Sequence, residues 1–352
     1  MKIKTAVIGL GRIASLLEED SLREKPCTHT GAIAGNPDCV LVAGCDIDGE
    51  RRRLFAEKWQ VPVYADAAEM IRIHMPQILA VATHPDSHYR YCRLAADSGV
   101  PVIICEKPLA DTLGEARKIA SLASQGSLAK RDGFARGTPA KVGPVIITNH
   151  ERRYSDDYIR AKAVLDEGKL GGLLSVRAVL YMGETRRLLD VFWHDGTHLA
   201  DVIMFLTGST LKHRRRRGAK LTAKTGTARL EGELVQPGGM QLKKTAQPIP
   251  VVMEIGAGRD YLVFEIEFSC ENGRLRVGNG VFEVWESVPS PYAEKFRSLR
   301  QTDEIFTGPT GYFANMVKDA VACLREPYRQ PRSSAADGLR VIEYLHSVKA
   351  WG

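Results

Sequence analysis

The chain has 352 residues, 44% hydrophobic and 26% charged, a balance of soluble globular proteins whose length predicts two domains. No apolar run reaches the ~18 residues of a membrane span, and the first strand-like run is too short for a signal peptide, so no membrane partner and a cytoplasmic location are expected. Part of the net charge of +7 comes from His213-Arg214-Arg215-Arg216-Arg217; with no groove-reading motif beside it, this run reads as a solvated loop that attracts anions, and no nucleic-acid partner is expected. The seven cysteines include no Cys-x-x-Cys pair and several lie in apolar runs, which reads as reduced, buried thiols.

Apolar runs near 3–8, 39–45, 77–82 and 101–105 alternate with helical patterns near 49–58, 67–73, 86–98 and 113–124. Strands alternating with helices predict a parallel sheet covered on both faces, an α/β Rossmann domain over 1–124. Residues 125–142 mix Gly, Pro and basic residues without period and read as a linker. A strand near 144–149, a helix near 155–168, a strand near 173–182 and a helix near 194–207 follow. After a polar stretch at 208–248 with weak strand signals, strands return at 249–255, 261–269, 274–278 and 281–286, with Asn272-Gly273 as a hairpin signal because both residues tolerate positive φ. Helices near 310–325 and 334–349 close the chain. The expected second domain, 125–352, is α+β with an open, mostly antiparallel sheet, its last helices free to pack back on the first domain. An uncovered apolar sheet face needs a partner, so a homodimer or homotetramer through this sheet is expected.

Directly after the first strand stands Gly9-Leu10-Gly11-Arg12-Ile13-Ala14, a Gly-x-Gly-x-x-Ala turn. Its small residues allow a tight turn, close approach of backbone to a pyrophosphate and close helix–strand packing, and the following helix aims its N-terminal amides at the phosphates. Gly9, Gly11, Arg12, Ile13 and Ala14 are therefore assigned to a dinucleotide. The second strand ends in Asp46, where a carboxylate accepts bonds from the adenosine ribose and repels a 2′-phosphate. NAD is expected over NADP, with Arg51, Arg52 and Arg53 keeping NADP open. Asp46 follows the turn at more than the usual ~20 residues, so residues 16–30 read as an insertion beside the cleft.

Four further segments carry a resemblance: Ala82-Thr83-His84-Pro85-Asp86-Ser87-His88, Cys105-Glu106-Lys107-Pro108, Asn149-His150-Glu151-Arg152-Arg153-Tyr154 and His194-Asp195-Gly196-Thr197-His198-Leu199-Ala200-Asp201. In order and spacing along nearly the whole chain they resemble the Gfo/Idh/MocA family, relatives of glucose–fructose oxidoreductase and inositol dehydrogenase. The resemblance implies NAD(P)-dependent hydride transfer between the nicotinamide and a secondary hydroxyl of a sugar or cyclitol. It puts Thr83, His84, His88 and Glu106 on the cofactor side, Lys107 and His198 at the chemistry, and Arg153 and Tyr154 at the opening of the second domain, near substrate hydroxyls. The family carries an aspartate four residues before the histidine, whereas here His194 stands there and Asp195 lies one residue closer.

The chemistry agrees. Oxidising a secondary alcohol needs a hydride acceptor and a base. Lys107 follows a parallel strand at its carboxyl end, where ligands bind, and a lysine there stabilises a developing alkoxide. His198 is the expected base because imidazole titrates near neutrality. On one helix His194 and His198 would share a face, and Asp195 or Asp201 would orient His198. The His-x-x-x-His spacing also fits a metal, but no third ligand is spaced nearby, so none is assigned. Tyr181, Arg186 and Trp193 are secondary candidates for the pocket. Two other functions fit the same residues: a hydrolase that uses held NAD to oxidise a sugar transiently, and a sensor that binds dinucleotide without turnover.

Overall fold

The computed structural model describes residues 2–128, 143–183, 186–235, 248–326 and 328–350. The chain splits into two compact units, Met1–Ser155 with Thr310–Ile342, and Asp156–Pro309 with Glu343–Gly352.

The first unit holds six strands: β1 (Ile3–Ile8), β2 (Cys39–Cys45), β3 (Val63–Tyr64), β4 (Ile78–Val81), β5 (Val102–Cys105) and β6 (Val145–Thr148). All neighbours pair in parallel, in the order β3-β2-β1-β4-β5-β6, the order of a dinucleotide-binding sheet. Helices α1 (His29–Gly35), α2 (Gly49–Trp59), α3 (Ala67–His74), α4 (Pro85–Asp97) and α5 (Leu113–Leu128) connect the strands. Asp48 and Asp66 cap α2 and α3 by accepting two backbone amides each. β4 and β5 are buried at every residue, as a strand covered on both faces requires. The parallel sheet continues past the boundary expected at 124, because the run near 144–149 is its sixth strand. The expected linker begins inside α5, and from residue 129 to 142 it lies outside the described residues.

The second unit contains α6 (Asp156–Asp166), β7 (Leu173–Tyr181), α7 (Leu188–His194), α8 (Gly196–Thr207), β8 (Thr210–Gly218), β9 (Gly226–Val235), β10 (Ile249–Ala257), β11 (Val263–Cys270), β12 (Gly273–Gly278), β13 (Val281–Pro289) and β14 (Arg297–Gln301). They form one sheet, β14-β13-β12-β11-β7-β10-β9-β8, antiparallel except for the β7–β10 pair. Helices α6–α8 cover one face. The basic run, expected as a loop, lies in edge strand β8, where Arg214 and Arg217 pair with Glu233 and Glu231; charge on an edge strand blocks further strand pairing. The β11–β12 hairpin forms, but Gly273 is not at positive φ: it is glycine because a Cβ would sit 2.1 Å from the Trp285 carbonyl oxygen.

The other face of this sheet, uncovered among the described residues, differs from the apolar surface expected. It carries ion pairs, Arg177 with Glu254, Arg274 with Glu267, and Arg276 with Glu265 and Glu283. Tyr181, Tyr261, Val179 and Val263 lie among these charges in a shallow depression. Alternation along β7 explains it, since Val176, Ala178 and Leu180 take the buried face and leave Arg177, Val179 and Tyr181 outside.

Two closing helices follow, α9 (Tyr312–Arg325) and α10 (Ala335–Ala350). Phe313, Met316, Val317, Ala320 and Val321 of α9 join the core of the first unit beside Ile33, Ile104 and Ile147.

Candidate functional site

Sheet register brings the motif residues of the first unit side by side. Each strand of the parallel sheet extends one residue past its end by a backbone bond to its neighbour: Gly9 N–H to Cys45 O (2.8 Å), Ala82 to Ile8 (2.8 Å), Glu106 to Val81 (2.9 Å) and Asn149 to Cys105 (2.7 Å). Asp46, Gly9, Ala82, Glu106 and Asn149 therefore form a row along the carboxyl edge, the ligand-binding edge of such sheets.

The glycine turn fits a dinucleotide. Gly9 lies at φ +84°, and a Cβ there would stand 2.6 Å from Ala82 O, so both conformation and space demand glycine. At Gly11 a Cβ would meet nothing closer than the Arg51 guanidinium at 3.7 Å, which leaves the backbone open to a phosphate. Ser15 N–H bonds Gly11 O (3.1 Å), and Leu17 N–H bonds Arg12 O (2.9 Å). Among the described residues the amides of Arg12, Ile13 and Ala14 meet no acceptor, as expected for a helical first turn that can hold an anion. Asp46 is buried and accepts from Leu10 N–H (2.7 Å) and Asp48 N–H (2.9 Å). Its neighbours separate the three arginines. Arg53 pairs with Glu50 and Glu57 on the helix surface. Arg52 donates to the Asp46 and Ile47 carbonyls and so clamps the loop. Arg51 alone faces the turn, its Nη1 3.7 Å from Asp46 Oδ2.

The helix expected after the turn is interrupted. One turn and the 3-10 segment Leu16–Glu19 follow Gly11, the chain leaves, and α1 then resumes the interrupted ladder: His29 N–H bonds Ile13 O (3.2 Å) and Thr30 N–H bonds Ala14 O (2.9 Å). The inserted excursion is held at several points. Trp59 Nε1 donates to Ser15 Oγ (2.7 Å), and Thr28 Oγ1 and Cys27 N–H donate to Glu18 Oε2 (2.6 and 3.2 Å). Glu24 accepts from Thr310 N–H, Thr310 Oγ1 and Gly311 N–H at the start of α9 (2.8, 2.8 and 2.7 Å). Burial would raise the Glu24 carboxyl, but these three donors hold it below its ordinary value.

At β5 the Glu106 carboxylate is fully enclosed. It accepts from His29 Nε2 (2.7 Å), from Asn149 Nδ2 and from the Lys107 backbone N–H (3.1 Å). Burial pushes this acid up, yet the His29 bond and charge, the Asn149 bond and the Lys107 charge together hold it down. Glu151, also near Lys107, goes the other way: desolvation raises its carboxyl and Glu106 adds to this, against Arg152 and Lys107. Asn149 and Glu151 lie in one of the four motifs, which assigns them no role, and His29 lies in none; the Thr28 cap before His29 marks a helix start but not the partner of its side chain.

His84 is exposed at the start of α4, and Thr83 is half-buried with its hydroxyl bonded by Ser87 Oγ (2.8 Å). His88 packs inside: its ring nitrogens meet Leu109 O (3.2 Å) and Thr83 O (3.1 Å), and burial lowers its basicity. It fixes the loop after β4 to the loop after Lys107 rather than facing a ligand.

Arg153 and Tyr154 correct an expectation. They belong to the first unit, and their side chains point into it. Tyr154 is 0% exposed and donates to Asp319 Oδ2 (3.2 Å). Arg153 donates to Arg332 O (3.1 Å) and pairs with Asp337 at 3.0 Å, both side chains nearly buried. A buried guanidinium needs such partners, which leaves neither residue free for substrate hydroxyls.

In the second unit the expected helix over 194–207 breaks at Asp195, where α7 ends and α8 begins. His194, the last residue of α7, is exposed, whereas His198 of α8 is 8% exposed and Asp201 1%. Asp195 faces Arg186 at 3.4 Å, and its carbonyl accepts from His198 N–H (3.1 Å). Trp193 packs edge-on against His346 (5.2 Å between centroids). Tyr181 lies on the uncovered sheet face, its hydroxyl on Glu254 (2.7 Å) and its ring under Arg259, on the side of the sheet opposite α8.

Residues 3–129 match the sequence model of the Gfo/Idh/MocA oxidoreductase family, described by its NAD-binding Rossmann fold. Inositol 2-dehydrogenase 1 of Saccharopolyspora erythraea is 26% identical over 242 residues, 65% of this chain and 63% of that protein. The chain spans about half the length of the other leading curated relatives. Myo-inositol 2-dehydrogenase of Lactobacillus plantarum superposes with a TM-score of 0.69 at 18% identity, covering 100% of this chain and 97% of that one. An oxidoreductase of Agrobacterium radiobacter, solved with NAD+, L-tartaric acid and magnesium, superposes with a TM-score of 0.70 at 17% identity, covering 100% and 96%. Neighbours of this kind share the two-unit fold.

Proposed function

We propose that the chain, whose residues 3–129 match the model of the Gfo/Idh/MocA oxidoreductase family with its NAD-binding Rossmann fold, is an NAD(P)-dependent dehydrogenase of a sugar or cyclitol secondary hydroxyl. The observation that carries this reading is the row on the carboxyl edge, where the open glycine turn, Asp46 and the enclosed Glu106 beside Lys107 follow one another across adjacent strands. The nicotinamide, when bound, supplies the hydride acceptor. Gly11, Arg12, Ile13 and Ala14 would hold the pyrophosphate on backbone amides, and Asp46 the adenosine ribose. Thr83 and His84, at the end of β4, remain candidates for the cofactor side. Lys107 would hold the substrate oxygen and favour its alkoxide. His198 is assigned the proton from its motif and imidazole chemistry, with Asp195, His194 and Asp201 as nearby groups on the same stretch of chain. The dehydrogenase names of the relatives support a polyol substrate.

A panel of hexoses, inositols, amino sugars and sugar acids with NAD and NADP, followed at the nicotinamide absorbance, tests this. His198→Ala should abolish turnover on the responsive polyol and leave NAD binding intact. Normal activity in a folded, NAD-binding His198→Ala protein would overturn the base assignment.

A further inference from the structure

We infer that His29, the first residue after the inserted excursion, is a positioning residue that sets Lys107 through Glu106. Its imidazole is 0% exposed, with its ring edge against Phe313 at 5.2 Å. An ionised carboxylate only accepts, so the proton between the two groups lies on His29 Nε2, 2.7 Å from Glu106 Oε1. His29 Nδ1 meets no partner among the described residues, so the ring's whole polar interaction is spent on Glu106. Glu106 passes the constraint on: Asn149 Nδ2 donates to the same Oε1 as His29, and the other oxygen accepts the Lys107 backbone N–H at 3.1 Å. A carboxylate this enclosed stays charged only while its donors stay in place. His29 reaches Glu106 because α1 rejoins the interrupted helix at Ile13 and Ala14, so the anchors of the excursion also fix the imidazole.

The role rests on the dehydrogenase reading only for turnover, and the test has arms that need no substrate. His29→Leu removes the donor at similar size, His29→Gln restores an amide donor near Nε2, and His29→Asn is too short to reach. In His29→Leu the 13C carboxyl resonance of Glu106 should titrate at higher pH than in the native protein. With Glu106 no longer held by His29, the Lys107 backbone amide, bonded to Glu106 Oε2 at 3.1 Å in the native protein, should exchange its hydrogen about fivefold faster or more, read by NMR. NAD affinity from fluorescence should stay within about threefold. On a polyol that is turned over, kcat should fall about 10–100-fold with little change in KM, and His29→Gln should recover most of it. If His29→Leu does not fold, His29→Asn should shift both substrate-free readouts in the same direction. Native Glu106 titration and native Lys107 amide exchange in a folded Leu or Asn variant would overturn the proposal. Shifted Glu106 and Lys107 readouts with no polyol oxidised by the native protein would uphold the positioning and refute the dehydrogenase reading.

Discussion

Replacing Asp46 by asparagine is the sharpest probe of cofactor choice. The amide oxygen can keep the 2.7 Å bond from Leu10 N–H, so the glycine turn stays in place while one negative charge is removed. The amide nitrogen that replaces the other oxygen cannot accept, so Asp48 N–H loses its bond, a cost of about 1–3 kcal/mol confined to the loop. A unit charge about 4 Å from a phosphate costs about 1 kcal/mol in water and about 4 kcal/mol at an effective dielectric of 20. Asp46 is buried but its neighbour Arg51 is 45% exposed, so an intermediate figure near 2 kcal/mol applies, about 30-fold in affinity. The native protein should therefore bind NAD more tightly than NADP. Asp46→Asn should narrow that ratio by about 30-fold, partly through loss of ribose bonds to NAD. Arg51, 3.7 Å from Asp46 Oδ2, is then released toward a 2′-phosphate, and the double variant with Arg51→Ala should lose the gained NADP affinity. Fluorescence titration with both nucleotides measures all of this without a substrate. An unchanged NAD-to-NADP ratio in a folded Asp46→Asn protein would refute the reasoning.

Other consequences are equally direct. Arg153→Met leaves Asp337 with Arg340 and Ser334 but without its buried 3.0 Å partner and should cost about 1–3 kcal/mol in urea unfolding; a loss below about 0.5 kcal/mol would mean that the pair is solvated. Acid should destabilise the first unit. The Asp337 carboxyl, raised by burial but lowered more by Arg153 and Ser334, lies below its ordinary 3.8, and Glu24 below its ordinary 4.5. Groups depressed in the fold contribute stability that is full above their unfolded values and is lost as pH falls through the folded ones. The urea midpoint should thus be level above pH 4.5 for these groups and fall below it, with a shallower fall in Asp337→Asn; an equal slope would remove Asp337 from the account. If the uncovered sheet face joins two copies, Arg276→Glu places a third carboxylate beside Glu265 and Glu283 and should shift sedimentation to the monomer, whereas a native monomer would dismiss that interface.

Local pattern determined the class of the first unit. Apolar runs and helical periods are properties of neighbouring residues, and β1, β2, β4 and β5 lie where the runs stand. The Gly9–Gly11 turn and Asp46 were legible for the same reason, since a turn needing positive φ and an acid at a strand end can each be read within a few residues. Tertiary structure decided what lies between distant segments. The long spacing to Asp46 marks residues 16–30 as an insertion but does not show that the helix ladder resumes from Ile13 at His29, because that bond closes over an excursion anchored on Trp59 and Thr310. Arg153 and Tyr154 looked available in sequence but are committed to Asp337 and Asp319, residues more than 160 positions away. A side chain's chemistry is written in its identity, but its availability depends on which partners the fold brings within about 3 Å, as Arg153 and Tyr154 show.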